Sequence, residues 1–142
     1  MNVLQSKEST IYGIGIGGTS NLTLENMTVH NIGGKGIVLS SYFQHATYPE
    51  QLGWAYDTVK LINCDAYLCM DSIGREPERT DFGNWSDGFW TNLQNAPTHM
   101  IMQGCRSWLN SDDGYDLPNN QATTSIMDSC GSFNNGHLTR GI

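Results

Sequence analysis

An eight-residue pattern that occurs four times constrains the fold of this chain more than any other feature. Positions one, three, six and eight of every copy hold an apolar or small residue, and the residue that follows is aromatic or histidine. Alternation that is interrupted by one extra residue is typical of a strand that bends and continues. The four copies are LTLENMTV (22–29), VKLINCDA (59–66), MIMQGCRS (100–107) and SIMDSCGS (125–132), followed by His30, Tyr67, Trp108 and Phe133.

A second pattern alternates with the first and places glycine before Ile, Phe or Tyr. Glycine at that position predicts a tight corner at which the backbone needs freedom that a Cβ would forbid. Two strand units that alternate every two dozen residues or so, with insertions, predict the stacked coils of a parallel β-helix. A β-sandwich is the competing all-β fold, but it does not explain the matched columns. The copies are YGIGI (12–16), KGIVL (35–39), DGFWT (87–91), DGYDL (113–117) and RGI (140–142).

We therefore predict one all-β domain over residues 1–142, a solenoid of about five coils. Two insertions, at 40–56 and 71–86, interrupt the coils. Long loops on one side of a solenoid often build its binding face. The aromatic residues of the first insertion would equally well pack over the flank of the solenoid.

Composition narrows the function classes. Charged residues make up 15% of the chain and its net charge is −7, so a nucleic-acid partner, which needs Lys and Arg patches, is not expected. A membrane span is not expected either, because no sufficiently long apolar run occurs. The first residues lack the apolar core of a signal peptide, which is typical of a cytosolic protein or of a chain that is given without its leader.

Three of the four cysteines, Cys64, Cys105 and Cys130, share one position of the repeat, which predicts a column of buried thiols.

The acidic residues of NSDDGYDL (110–117) raise an electrostatic problem. When the second units are aligned by their glycine, Asp87 and Asp113 become neighbours on adjacent strands, which lie about 4.8 Å apart. Two unit charges at that separation repel by roughly 3 kcal/mol at an effective dielectric constant of about 20. Asp112 and Asp116 add further negative charge, so the group needs a cation or a bound proton.

Two structural explanations compete with a metal site. Ser-Asp-Asp-Gly is also typical of a turn in which aspartates cap backbone amides. Alternatively, Lys35 and Arg140, which align in the same column, would form a salt-bridge ladder with the acids. A turn explains single aspartates, but it does not explain why two coils place four acids on one face. Oxygen ligands of this kind suit Ca²⁺, whereas no matched His/Cys set suggests zinc and the spacing is not that of an EF-hand.

The stretches SDGFWTNL (86–93) and GCRSWLNSDDGYDL (104–117) resemble the pectate lyases of polysaccharide lyase family 9, with similarity strongest over 70–136. The resemblance implies a right-handed parallel β-helix that cleaves polygalacturonate by Ca²⁺-assisted β-elimination outside the cell, as a secreted or cell-surface protein. It also implies a Ca²⁺ site formed by the acids at four positions: Asp87, Asp112, Asp113 and Asp116. Candidate contacts for the polyanionic substrate are Lys35, Arg75, Arg79, Asn92, Arg106 and Arg140. The alternative is that most of the basic residues among them are ordinary surface charges. The family tends to carry lysine where this chain has Asn92.

The catalytic base departs from the family pattern. The resemblance implies a lysine one coil beyond the acids, at a place that would follow Ile142, and none of Lys7, Lys35 and Lys60 matches it. Arg140 is a weak candidate, because its pKa would have to fall far below the usual value. Two interpretations stay open. The chain is a piece of a longer lyase, or it is a short non-catalytic β-helix that keeps the calcium site and serves carbohydrate binding or end-to-end assembly through its open strand edges.

Overall fold

The computed structural model describes residues 11–17, 21–40, 58–71, 83–92, 99–118 and 124–136. Within these ranges the secondary structure consists of short β-strands. In chain order the strands are β1 (Tyr12–Gly17), β2 (Leu22–Glu25), β3 (Thr28–His30), β4 (Lys35–Ser40), β5 (Thr58–Ile62), β6 (Asp65–Tyr67), β7 (Phe89–Asn92), β8 (His99–Gln103), β9 (Arg106–Trp108), β10 (Tyr115–Asp116), β11 (Thr124–Asp128) and β12 (Gly131–Phe133).

The strands form three parallel sheets, each of which takes one strand from every coil. The sheet orders are β1-β4-β7-β10, β2-β5-β8-β11 and β3-β6-β9-β12. The chain therefore passes through the three sheets in turn and then begins the next coil, which confirms the predicted right-handed parallel β-helix. The described residues contain four such coils; the start of the predicted fifth, at 140–142, lies outside them.

The repeat register is the one that the sequence predicts. Leu22 pairs with Val59, Val59 with Met100 and Met100 with Ser125. The interruption in the alternation is a residue with positive φ, which turns the chain from one sheet to the next: Asn26 (55°), Asn63 (51°), Gly104 (63°) and Ser129 (54°). A bend of one residue in the left-handed region lets the inward-facing alternation resume in the following strand.

The core lies inside the coil and is built from stacked columns. Ile37, Leu39 and Phe89 from one sheet meet Leu61 and Met102 from the next, and each is at most 1% exposed. Full burial of such a side chain contributes about 1.5–3 kcal/mol. Cys64 and Cys105 are buried in this core as predicted, whereas Cys130 is only half-buried; all three are free thiols. The predicted aromatic column is also present, because the rings of His30, Tyr67, Trp108 and Phe133 stack at centroid distances of 5.0, 4.4 and 5.6 Å.

The recurring glycine of the second unit is needed for a reason other than the predicted one. Gly36, Gly88 and Gly114 are not among the residues with positive φ, so their backbone conformation is open to other residues. What excludes a side chain is space: a Cβ on Gly88 would lie 1.9 Å from Ser107 Oγ. Two sheets of the coil therefore approach each other closely at Gly88.

The two predicted insertions lie largely outside the described residues. That they build a binding face therefore stays a prediction. The single-domain organisation of residues 1–142 also stays a prediction. No helix in the described ranges is long and apolar enough to cross a membrane.

We predict that Gly88→Ala lowers the free energy of unfolding by about 1–3 kcal/mol or more, because the added Cβ overlaps Ser107 and overpacking is costly. Gly131→Ala is the matched control, since its Cβ would meet no atom closer than 3.9 Å. Urea unfolding of both variants measures the difference. Equal stabilities of the two variants would contradict the space argument.

Candidate metal and substrate site

The acidic residues lie where two strands of one sheet begin. Asp87 comes two residues before β7, Asp112 and Asp113 come just before β10, and Asp116 lies within β10. Because Phe89 pairs with Tyr115, and Gly88 N donates to Asp113 O at 2.9 Å, Asp87 and Asp113 occupy adjacent rungs. The parallel register therefore brings together carboxylates that are far apart in sequence.

Three of the carboxylates are close enough to share one ion. One oxygen from each of Asp87, Asp112 and Asp113 lies within 4.8 Å of the others. Oxygens that bind one Ca²⁺ at about 2.3–2.6 Å are at most about 5 Å apart, so this spacing fits a common ligand. Asp116 is not part of that closest group, but its charge acts on Asp87.

Asp87 is the buried anchor of this group, with 1% of its surface exposed. Its Oδ2 accepts a hydrogen bond from Lys35 Nζ, whereas its Oδ1 has no protein partner. A buried carboxylate oxygen without a partner is costly, since it has lost water and gained nothing in return. One oxygen of Asp87 is therefore buried without a hydrogen bond to compensate for the lost water.

The protonation of the group reflects its crowding. Burial is the main cause that raises the pKa of Asp112 to about 6, and the charges of Asp87 and Asp113 add to it. Burial also raises the pKa of Asp87, against the opposing charge and hydrogen bond of Lys35. In the same way burial raises the pKa of Asp116, and Lys35 and a hydrogen bond from Trp90 oppose the shift. A bound metal ion would stabilise the ionised carboxylates and lower their pKa values.

Lys35 occupies the place that the column alignment gives it, paired with Tyr12 on one side and next to Asp87 on the other. It is only 5% exposed, and its ammonium lies 5.8 Å from the ring centre of Trp85 and 5.1 Å from that of Trp90. The structure thus gives Lys35 the ion pair of the salt-bridge alternative, whereas an open substrate contact would require more exposure.

The other predicted substrate contacts are not brought together with the acids in the same way. Asn92 is half-buried at the end of β7, on the same sheet as Asp87. Arg106 lies on β9 in a different sheet, where its guanidinium donates to both oxygens of Asp65 at 2.8 and 2.6 Å. Arg75, Arg79 and Arg140 lie outside the described residues.

Sequence reasoning missed the asparagine that supports the acidic turn. Asn110 is fully buried; its amide donates to Ser107 Oγ at 2.8 Å and to Asn135 Oδ1 at 2.9 Å, and its own Oδ1 accepts from Cys69 N at 3.1 Å. These bonds join the segment before Asp112 to the coils on both sides. The signal was present, because Asn110 and Asn135 each follow a strand serine by three residues.

The neighbouring tryptophans were also missed as parts of the site. Trp85 stands two residues before Asp87 and Trp90 three residues after it, but linear spacing does not show that both rings approach the same ammonium. That arrangement depends on the side chain of Lys35, which comes from the preceding coil.

Comparison with known proteins agrees with the β-helix fold. The whole chain, residues 1–142, matches the family model described as Pel9A-like, right handed beta helix region. Pectate lyase L of Dickeya dadantii (strain 3937) is 32% identical over 117 residues, which are 82% of this chain and 22% of the relative. Pectate lyase L of Thermoclostridium stercorarium is 33% identical over 134 residues, 91% of this chain and 10% of the relative.

The chain thus spans about a fifth or less of the length of these relatives, at 22% and 10%. No solved structure gives a significant match.

Without divalent metal, we predict that the protein is more stable at about pH 5 than at about pH 7. The folded state holds the Asp112 proton up to about pH 6, whereas the ordinary value is 3.8, so stability falls as pH rises through this window. Urea unfolding in EDTA at the two pH values measures this. Asp112→Asn should reduce the difference, and Asp128→Asn, at an exposed position, should leave it unchanged. An undiminished difference in Asp112→Asn would contradict the assignment.

Proposed function

The chain belongs to the Pel9A-like right-handed β-helix family, and from this membership we propose that it carries the calcium site of a pectate-lyase-like protein. The activity that we propose is β-elimination of polygalacturonate. The observation that carries the proposal is the group formed by Asp87, Asp112 and Asp113, in which three carboxylate oxygens lie within 4.8 Å of one another. The unpartnered Oδ1 of buried Asp87 adds to it.

We propose Asp87, Asp112, Asp113 and Asp116 as the protein ligands. Their donors are carboxylate oxygens, which favour hard cations such as Ca²⁺ over zinc. Mg²⁺ usually keeps several of its waters and is bound by one or two carboxylates, so a four-carboxylate group suits Ca²⁺ better. The half-exposed positions of Asp112 and Asp116 leave the group open to a ligand from solvent.

Charge explains why such a site would serve this substrate. The chain has a net charge of −7, and a uronate polymer is also negative, so direct association is repulsive. When bound, Ca²⁺ would hold the uronate carboxylate and stabilise the negative charge that develops on it as the C5 proton leaves. The aspartates fix the position of that charge, and the half-buried Asn92 on the same sheet is the proposed uncharged contact to the sugar.

The other proposed roles are contacts to the sugar carboxylates and transfer of the C5 proton. Four arginines stay proposed as contacts to sugar carboxylates: Arg75, Arg79, Arg106 and Arg140, with Arg106 held at a distance by its bond to Asp65. Lys35 is not proposed as such a contact, because it is buried and paired with Asp87. Arg140 stays the weak candidate for the base. Because the substrate is a polymer outside the cell, we propose a secreted or cell-surface location.

A second candidate function is that of a non-catalytic β-helix that binds carbohydrate or assembles end to end. On the last described coil, Ile126, Met127 and Phe133 are 46%, 42% and 48% exposed. Met127 continues a column whose preceding member, Met102, is fully buried. A further coil, of the same chain or of a second copy, would cover this apolar edge.

We predict that Asp113→Asn weakens Ca²⁺ binding about tenfold or more, which is 1.4 kcal/mol, because a charged ligand becomes neutral without a change of shape. Asp113 is exposed, so the variant should fold normally. Isothermal titration calorimetry measures the affinity. Asp128→Asn, on another sheet, is the control, and an unchanged affinity of Asp113→Asn would remove that residue from the site.

The two candidate functions give different results with polygalacturonate and Ca²⁺. The lyase proposal predicts a rising ultraviolet absorbance from unsaturated uronate products, which EDTA abolishes. Retained Ca²⁺ affinity without that absorbance would favour the second candidate. Sedimentation velocity at increasing protein concentration would then separate carbohydrate binding by a monomer from end-to-end assembly.

A further inference from the structure

The side-chain ammonium of Lys35 lies among the clustered aspartates. Lys35 Nζ donates to Asp87 Oδ2, and one oxygen of Asp87 lies within 4.8 Å of one oxygen each from Asp112 and Asp113 on the next coil. The field of Lys35 therefore reaches carboxylates on two different coils. This cation belongs to the chain and is present whether or not a metal is bound.

The fold holds Lys35 in that place. Gly36 N donates to Asp87 O at 2.8 Å and Lys35 N donates to Ile11 O at 3.0 Å, so the backbone is fixed to the coils on both sides. The side chain is 5% exposed and lies against the faces of Trp85 and Trp90. If the Lys35 side chain moved away from the aspartates, it would lose both its ion pair and its cation–π contacts.

The effect on a metal follows from the charges. Asp87, Asp112, Asp113 and Asp116 carry −4 when ionised, and Lys35 brings the sum to −3. A divalent ion is attracted by the four carboxylates and repelled by the ammonium group of Lys35. With the ion bound the total is −1 in the presence of Lys35 and −2 without it, so an incoming anion meets less repulsion when Lys35 is present.

We propose that Lys35 is a positioning residue that balances the charge of the metal group. It holds Asp87 through Oδ2, leaves Oδ1 for the metal, lowers the affinity for free Ca²⁺ and raises the gain in affinity that a bound uronate brings. This inference rests on the proposed calcium site and adds to it a reason why metal and acidic sugar bind together.

The test is Ca²⁺ titration by calorimetry of wild type, Lys35→Met and Lys35→Arg. We expect Lys35→Met to bind Ca²⁺ about tenfold more tightly than wild type, because a repelling charge is removed from the group. Lys35→Arg should bind more weakly than wild type, since a guanidinium fork engages both oxygens of one carboxylate and takes Oδ1 from the metal. Lys60→Met, at an exposed position on β5, is the control and should match wild type.

Repeating the titrations with digalacturonate tests the coupling. The sugar should increase the Ca²⁺ affinity of wild type several-fold more than that of Lys35→Met. If wild type binds Ca²⁺ and Lys35→Met binds no more tightly, the role of Lys35 is overturned while the calcium site stands. If Lys35→Met does not fold, an affinity of Lys35→Arg equal to or above that of wild type overturns it. Absence of Ca²⁺ binding in wild type and Lys35→Met would overturn the calcium site itself, and this inference with it.

Discussion

In-register parallel stacking is the constraint on which the rest of this structure depends. Each coil places its residues one rung above their counterparts, so every position of the repeat becomes a column. An apolar column gains free energy from burial, and an aromatic column gains from ring stacking. A column of like charges gains nothing and needs compensation. The same backbone hydrogen bonds that build the core therefore create the electrostatic problem at Asp87 and Asp113.

Two cations offer compensation at that point, and they act differently. Lys35 supplies a permanent single charge from the preceding coil, fixed between Asp87 and two tryptophan rings. A divalent ion would supply two charges that come and go with solution conditions. Because Lys35 uses one oxygen of Asp87 and leaves the other without a partner, the two remedies are compatible. The salt bridge with Lys35 therefore does not exclude the proposed metal site.

The polar residues around the acids give the site its rigidity. Asn110 bonds to Cys69 on the preceding coil and to Asn135 on the following one, so the turn that carries Asp112 is held from both sides. Gly88 lets Ser107 approach the sheet that carries Asp87, because a Cβ there would overlap the hydroxyl oxygen. The position of the acidic turn therefore depends on residues in three coils.

The sequence by itself determined the coil, the columns and the meeting of Asp87 with Asp113. These follow from a repeat period and a register, and both are visible as spacing along the chain. Tertiary structure decided the rest. The glycines are required by close approach of another sheet and not by their φ. The column alignment offered a Lys35 salt bridge as one alternative, but only the structure shows that this ion pair forms and that two tryptophans cover it. Arg106 is drawn to Asp65, away from the acids. Such outcomes depend on the direction, burial and competing partners of each side chain, and spacing carries no information about those.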